Sequence, residues 1–121
     1  MRALPEAPDL AIITVPPNVL LRVIDDCAVR GVKSIVVITA GFAEVGAEGK
    51  ELQQTLVERA RGDGMRIIGP NCLGLLNTDP AVRLNASFAH HFPLVGEVAF
   101  CSQSGALGLA IALAREHQRG L

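Results

Sequence analysis

The chain has 121 residues, a length suited to one domain. Half of them are hydrophobic, the formal net charge is −1, and there is no Trp or Tyr. These values exclude bulk electrostatic attraction to nucleic acid or to an anionic membrane, and they exclude an aromatic platform for stacking bases. The chain also holds no apolar run near the roughly 20 residues that a membrane-spanning helix needs.

A mean hydropathy of +0.37 is rich for so short a chain. It points to strands buried on both faces, or to an apolar surface that expects a partner. Arg outnumbers Lys, which suits phosphate binding and biased genomic composition equally. The cysteines Cys27, Cys72 and Cys101 have spacings that fit neither zinc nor a disulfide framework. Cys27 and Cys101 read as small buried residues in a reducing cytoplasm. The start of the chain is broken by Pro5 and Pro8 and shows no signal-peptide pattern.

In chain order, residues 9–15 (D-L-A-I-I-T-V) are a β-branched apolar run that predicts a buried strand, stopped by Pro16-Pro17-Asn18. Pro17 suits the first position of a helix. Val19, Leu20, Val23, Ile24 and Cys27 then share one helical face, and Gly31 suits the end. A second strand follows over 34–39, stopped by Ala40-Gly41-Phe42, and residues 43–47 read as loop. Residues 48–61 predict a second helix with Leu52, Leu56 and Ala60 in one stripe. Its acidic start and basic end match the helix dipole. A third strand over 65–68 completes a β-α-β-α-β alternation, which argues an α/β fold with a parallel doubly wound sheet. Residues 75–95 read as a crossing segment that adds one short strand. Residues 96–101 predict a fourth buried strand, and residues 106–117 a helix apolar nearly all round and therefore buried. Four strand ends would then face one crevice.

Four stretches are candidates for chemistry. Ser102-Gln103-Ser104-Gly105 joins a strand end to a helix start, where backbone N–H groups, two hydroxyls and the dipole make an anion pocket; ordinary serine capping explains the same residues. Gly69-Pro70-Asn71-Cys72 offers an amide and a thiol to a ligand, or a simple turn. Val15-Pro16-Pro17-Asn18 and Ile38-Thr39-Ala40-Gly41 could meet the flat parts of a nucleotide through backbone groups, and turn chemistry explains them as well. His90-His91 has no convergent ligands and reads as solvated loop, while Phe42, Phe88, Phe92 and Phe100 read as core.

The motifs I-I-T-V-P-P-N, I-V-V-I-T-A-G-F-A-E, R-I-I-G-P-N-C-L-G and F-C-S-Q-S-G-A-L-G stand in this order over residues 9–121. With them the chain resembles the NDP-forming acyl-CoA synthetases, relatives of the succinyl-CoA synthetase alpha subunit. The stretch from Gly69 to Asn85 is especially similar to the branch fused to a protein lysine N-acetyltransferase. The resemblance implies that residues 1–77 are the C-terminal half of a Rossmann-type CoA-binding domain, 78–95 a linker, and 96–121 the start of a flavodoxin-like ligase domain. It implies that Val15, Pro16, Thr39, Ala40 and Asn71 lie along bound CoA or acyl-CoA, with Cys72 near the thioester end. Ser102, Ser104 and Gly105 would hold phosphate beside the family's phosphohistidine. Ala40 and Gln103 depart from the succinyl branch, which has Glu and Arg there.

On this resemblance the Gly-rich half-domain would precede Met1, while the phosphohistidine and the ATP-grasp domain that handles ATP and ADP lie elsewhere. The expected function is a CoA-binding part of an ADP-forming acyl-CoA synthetase that does not catalyse alone. Its partners would be CoA and the other synthetase domains, with an open sheet edge that a second copy would extend into a homodimer; neither nucleic acid nor membrane is expected. One alternative is a ligand-sensing region of a lysine acetyltransferase. Another, a nicotinamide-binding Rossmann module, lacks the G-x-G-x-x-G it requires.

Overall fold

The computed structural model describes residues 4–117, with side chains up to residue 111. The order is β1 (Leu10–Ile13), α1 (Pro17–Arg30), β2 (Ser34–Val37), a short 3-10 turn (Ala43–Val45), α2 (Ala47–Gly62), β3 (Arg66–Ile68), β4 (Gly74–Asn77), β5 (Leu84–Ser87) and α3 (Gly105–His117). Two compact units divide it, Met1–Cys72 and Leu73–Leu121.

The first unit is α/β with a three-stranded parallel sheet in the order β1-β2-β3. Strands that follow one another in sequence and in space need right-handed crossovers, and two such crossovers in one direction put both helices on the same face. That face carries Ala11, Ile13, Ile35, Val37 and Ile67. They pack with Leu20, Ile24 and Cys27 of α1 and with Leu52, Leu56 and Ala60 of α2. Leu20, Ile24 and Cys27 recur at helical spacing and are fully buried, which is how α1 earns its stability. Burial pushes the Cys27 thiol pKa up, and the neighbouring Asp26 charge adds to this.

The helix ends follow from local chemistry. Pro17 opens α1, whose end is closed by Gly31 in the left-handed region (φ 83°) and by a bond from the Val32 N–H to the Cys27 carbonyl (3.1 Å). Helix α2 has Glu48 in its first turn and Arg59 and Arg61 in its last. Arg59 also reaches Asp25 of α1 at 3.0 Å on the exposed side of the helix pair.

The opposite sheet face differs from the expectation of strands buried on both sides. In register there, Ile12, Val36 and Ile68 form an apolar row. Central Val36 is buried, but the flanking Ile12 and Ile68 are 47% and 42% exposed. The reason is position: β1 and β3 are the edges of the sheet among the described residues.

The second unit holds the antiparallel pair β4–β5 and helix α3. The short strand expected within 75–95 is β5, and its connection to β4 is tightened by Asn77 and Asp79 side chains that accept N–H groups two residues on. Four expectations for this region are corrected. Residues 96–101 form no strand, and Val98 is 88% exposed; a buried strand needs neighbours for its backbone groups, and the described residues supply none there. Cys101 is accordingly exposed. Helix α3 forms where its pattern predicts, yet Leu107 and Ile111 are exposed, because no layer among the described residues covers them. Of the phenylalanines only Phe42 is fully buried; Phe88 and Phe100 are exposed, and Phe92 lies under the Arg83 guanidinium at 5.9 Å.

Candidate functional site

Hydrogen bonding does not stop where the parallel strands end. The Ile38 N–H donates to the Ile13 carbonyl at 2.9 Å. One step further, the Thr39 hydroxyl donates to the Val15 carbonyl at 2.7 Å. The Asn71 N–H then donates to the Thr39 carbonyl at 2.9 Å, and the Cys72 thiol donates to the Val37 carbonyl at 3.3 Å. The carboxyl ends of three strands are therefore laced into one rim, which is where parallel α/β sheets present groups to ligands. Val15, Thr39, Asn71 and Cys72 come together there, with Pro16 and Ala40 exposed beside them.

The rim is shaped by close approaches. Gly69 has φ 92°, and a Cβ there would stand 2.2 Å from the Val37 carbonyl oxygen and 3.0 Å from the Cys72 sulfur. Only glycine lets the chain turn so sharply against β2. The next peptide, Gly69-Pro70, is cis, and Asn71 adopts a left-handed conformation (φ 52°) that its side chain tolerates better than most. The loop after β2 sends the Phe42 side chain into the buried core, and its 3-10 turn closes through the Val45 N–H and the Phe42 carbonyl (2.9 Å). This turn replaces the plain loop expected over 43–47.

Glu44 is the site residue that pattern reading missed. Its carboxylate accepts the Gly41 N–H at 2.6 Å. That bond, with the backbone N–H groups around it, holds the carboxyl below the usual glutamate range. The detectable signal was the spacing: an acidic residue three positions after the loop glycine, in the manner of a capping box.

Within the second unit, the serines at the start of α3 already have tasks. The Ser104 hydroxyl accepts the Leu107 N–H at 3.3 Å as a helix cap, and the Ser102 hydroxyl accepts the Ser104 N–H at 3.0 Å. Gly105 stands close to Leu73. His90 and His91 are exposed, and among the described residues no cluster of His, Cys, Asp or Glu could hold a metal ion. No helix among those residues is long and apolar enough to cross a membrane.

Comparison with known proteins gives the family. Residues 1–78 match the protein family described as "CoA binding domain". The alpha subunit of ADP-forming acetate–CoA ligase II from Pyrococcus furiosus is 50% identical over 111 residues, 92% of this chain and 24% of that protein. ADP-forming acetate–CoA ligase I from Archaeoglobus fulgidus is 45% identical over 108 residues, 89% of this chain and 16% of that protein. Among solved structures, a Pyrococcus horikoshii protein superimposes with a TM-score of 0.89 at 48% identity, covering 97% of this chain and 26% of that one. The dinucleotide-forming acetyl-coenzyme A synthetase 1 of Candidatus Korarchaeum cryptofilum, solved with phosphate and ADP, gives 0.80 at 52% identity over 91% of this chain and 23% of its own. The chain thus spans about a quarter or less of the length of these relatives.

Proposed function

Because the chain belongs to the CoA-binding domain family, we propose that its strand-end rim is a contact surface for CoA or acyl-CoA within an ADP-forming acyl-CoA synthetase. The parent reaction on this reading is acid + CoA + ATP giving acyl-CoA + ADP + phosphate. The observation that carries it is the laced rim itself. The Thr39 hydroxyl on the Val15 carbonyl and the Asn71 N–H on the Thr39 carbonyl hold three loops side by side. The rim residues suit the ligand: Pro16 and Ala40 are small and exposed, which leaves room for a flat nucleotide, and Asn71 adds an exposed amide. Cys72 lies beside it, near the proposed thioester end.

On this reading residues 1–77 carry the CoA surface, 78–95 link, and 96–121 open a flavodoxin-type region. There Ser102, Ser104 and Gly105 would meet phosphate at the start of α3. The remaining synthetase regions would supply the Gly-rich loop, the phosphohistidine and the ATP-grasp fold in the same cytoplasmic assembly. A second copy would pair along the β1 edge; a monomer by light scattering at high concentration removes that element.

Calorimetric titration of the chain with CoA, acetyl-CoA and NAD tests the reading. CoA and acetyl-CoA should bind and NAD should not. The Asn71→Gly variant keeps the left-handed backbone and loses the amide, so it should bind CoA on the order of tenfold more weakly, the worth of one good polar contact. CoA binding weaker than millimolar by the wild-type chain overturns the proposal.

A further inference from the structure

We infer, resting on the CoA reading of the rim, that Thr39 is a positioning residue. Its hydroxyl takes the Val15 carbonyl out of the sheet ladder and so leaves the Ala40 N–H open as a donor to an acceptor atom of CoA.

The strand register reveals the substitution. In a parallel pair, the donors of one strand recur at every second residue. Strands β1 and β2 set Ile13 beside Val37, and the Ile38 N–H donates to the Ile13 carbonyl at 2.9 Å. Two residues on, the same ladder would set the Ala40 N–H on the Val15 carbonyl. The Thr39 hydroxyl stands there instead and donates to that carbonyl at 2.7 Å. The chain is by then turning over the start of α1: Gly41 has φ 102°, and a Cβ on it would stand 2.9 Å from Cγ of Pro17. Among the described residues no acceptor takes the Ala40 N–H, and Ala40 is exposed.

The neighbouring seam also ends on a side chain, for a different reason. Between β2 and β3, Val36 stands beside Ile68, and the Arg66 N–H donates to the Lys33 carbonyl at 2.8 Å. In that register residue 70 would serve the Val37 carbonyl, but Pro70 has no N–H. The Cys72 thiol serves it at 3.3 Å. At Val37 the side chain replaces an amide that does not exist. At Val15 it replaces one that does. A threonine that only tightened the rim would be redundant, since the Ala40 N–H could close the same carbonyl with no side chain at all. What the hydroxyl adds is a released amide. The Thr39 carbonyl in turn accepts the Asn71 N–H at 2.9 Å, so the residue before Ala40 is fixed to both neighbouring loops.

Wild type, Thr39→Val and Thr39→Ser are compared by amide hydrogen exchange without ligand and by NMR and calorimetric titration with CoA. In wild type the Ala40 amide should exchange like an open loop amide, and its nitrogen signal should move as CoA is added. Thr39→Val keeps the side-chain shape and loses the hydroxyl, so the Ala40 N–H should fall back onto the Val15 carbonyl. Its exchange should then slow about tenfold, and CoA affinity should fall about tenfold. Thr39→Ser, which keeps the hydroxyl, should restore both. A protected Ala40 amide in ligand-free wild type overturns the inference. So does an Ala40 signal indifferent to bound CoA, or a folded Thr39→Val that binds CoA as wild type does. Both wild-type measurements decide the matter even where Thr39→Val fails to fold. A wild-type chain with an open Ala40 amide that binds no CoA overturns the CoA reading and the ligand role of the amide with it, whereas the exchange data alone judge the ladder substitution.

Discussion

Gly69 is where side-chain size and backbone geometry meet most sharply. A methyl group there would run into the Val37 carbonyl and would also force an unfavourable φ. Gly69→Ala should therefore destabilise the chain by about 2 kcal/mol or more, read as a lower urea midpoint. It should also release the Cys72 thiol from the Val37 carbonyl. This residue was legible in the sequence, because an apolar run that ends in Gly-Pro-Asn announces a hard turn at a strand end. Glu44 was not. Its carboxylate meets the Gly41 N–H in an irregular loop, where only the three-residue spacing hints at the contact. Ser104 was legible as a helix cap, and the structure supplies that bond to the Leu107 N–H.

The elements of the first unit follow directly from their residues. β-branched runs between Gly and Pro became β1, β2 and β3, and the Leu20, Ile24, Cys27 spacing became the buried face of α1. The two helices are held together by that apolar seam, not by the charge pair above it. Leu56→Ala, at a fully buried position of α2, should cost roughly 2–5 kcal/mol. Asp25→Asn, which breaks the half-exposed pair with Arg59, should cost about 0–1 kcal/mol. Paired denaturation curves check both, and near-equal losses would mean the seam is not the main bond between the helices. The failure at 96–101 has the same physics in reverse. Apolar pattern states which residues could be buried; it does not state what lies alongside them, and a strand exists only where a neighbour accepts its backbone.

For the molecule as a whole, the buried cluster runs from Ile13 to Met65 and belongs entirely to the first unit. In the second unit only Ala86 and Ala89 are buried among the described residues. Amide exchange should divide accordingly. The amides of Ile35, Val36 and Val37, central in the sheet, should be the slowest, and those of the first turns of α3 among the fastest. Uniform protection along the chain would refute this division. The high overall hydropathy foreshadowed it: an apolar excess that the first unit's core does not absorb stands on Ile12, Ile68, Val98 and Leu107.

Helix α2 begins against the loop it follows so tightly that Gly49 has no room for a side chain; a Cβ would sit 1.9 Å from the Phe42 carbonyl oxygen. Backbone rests on backbone there, and neither can slide without the other. A shift of the strand-end loop at Phe42 therefore presses directly on the first turn of α2.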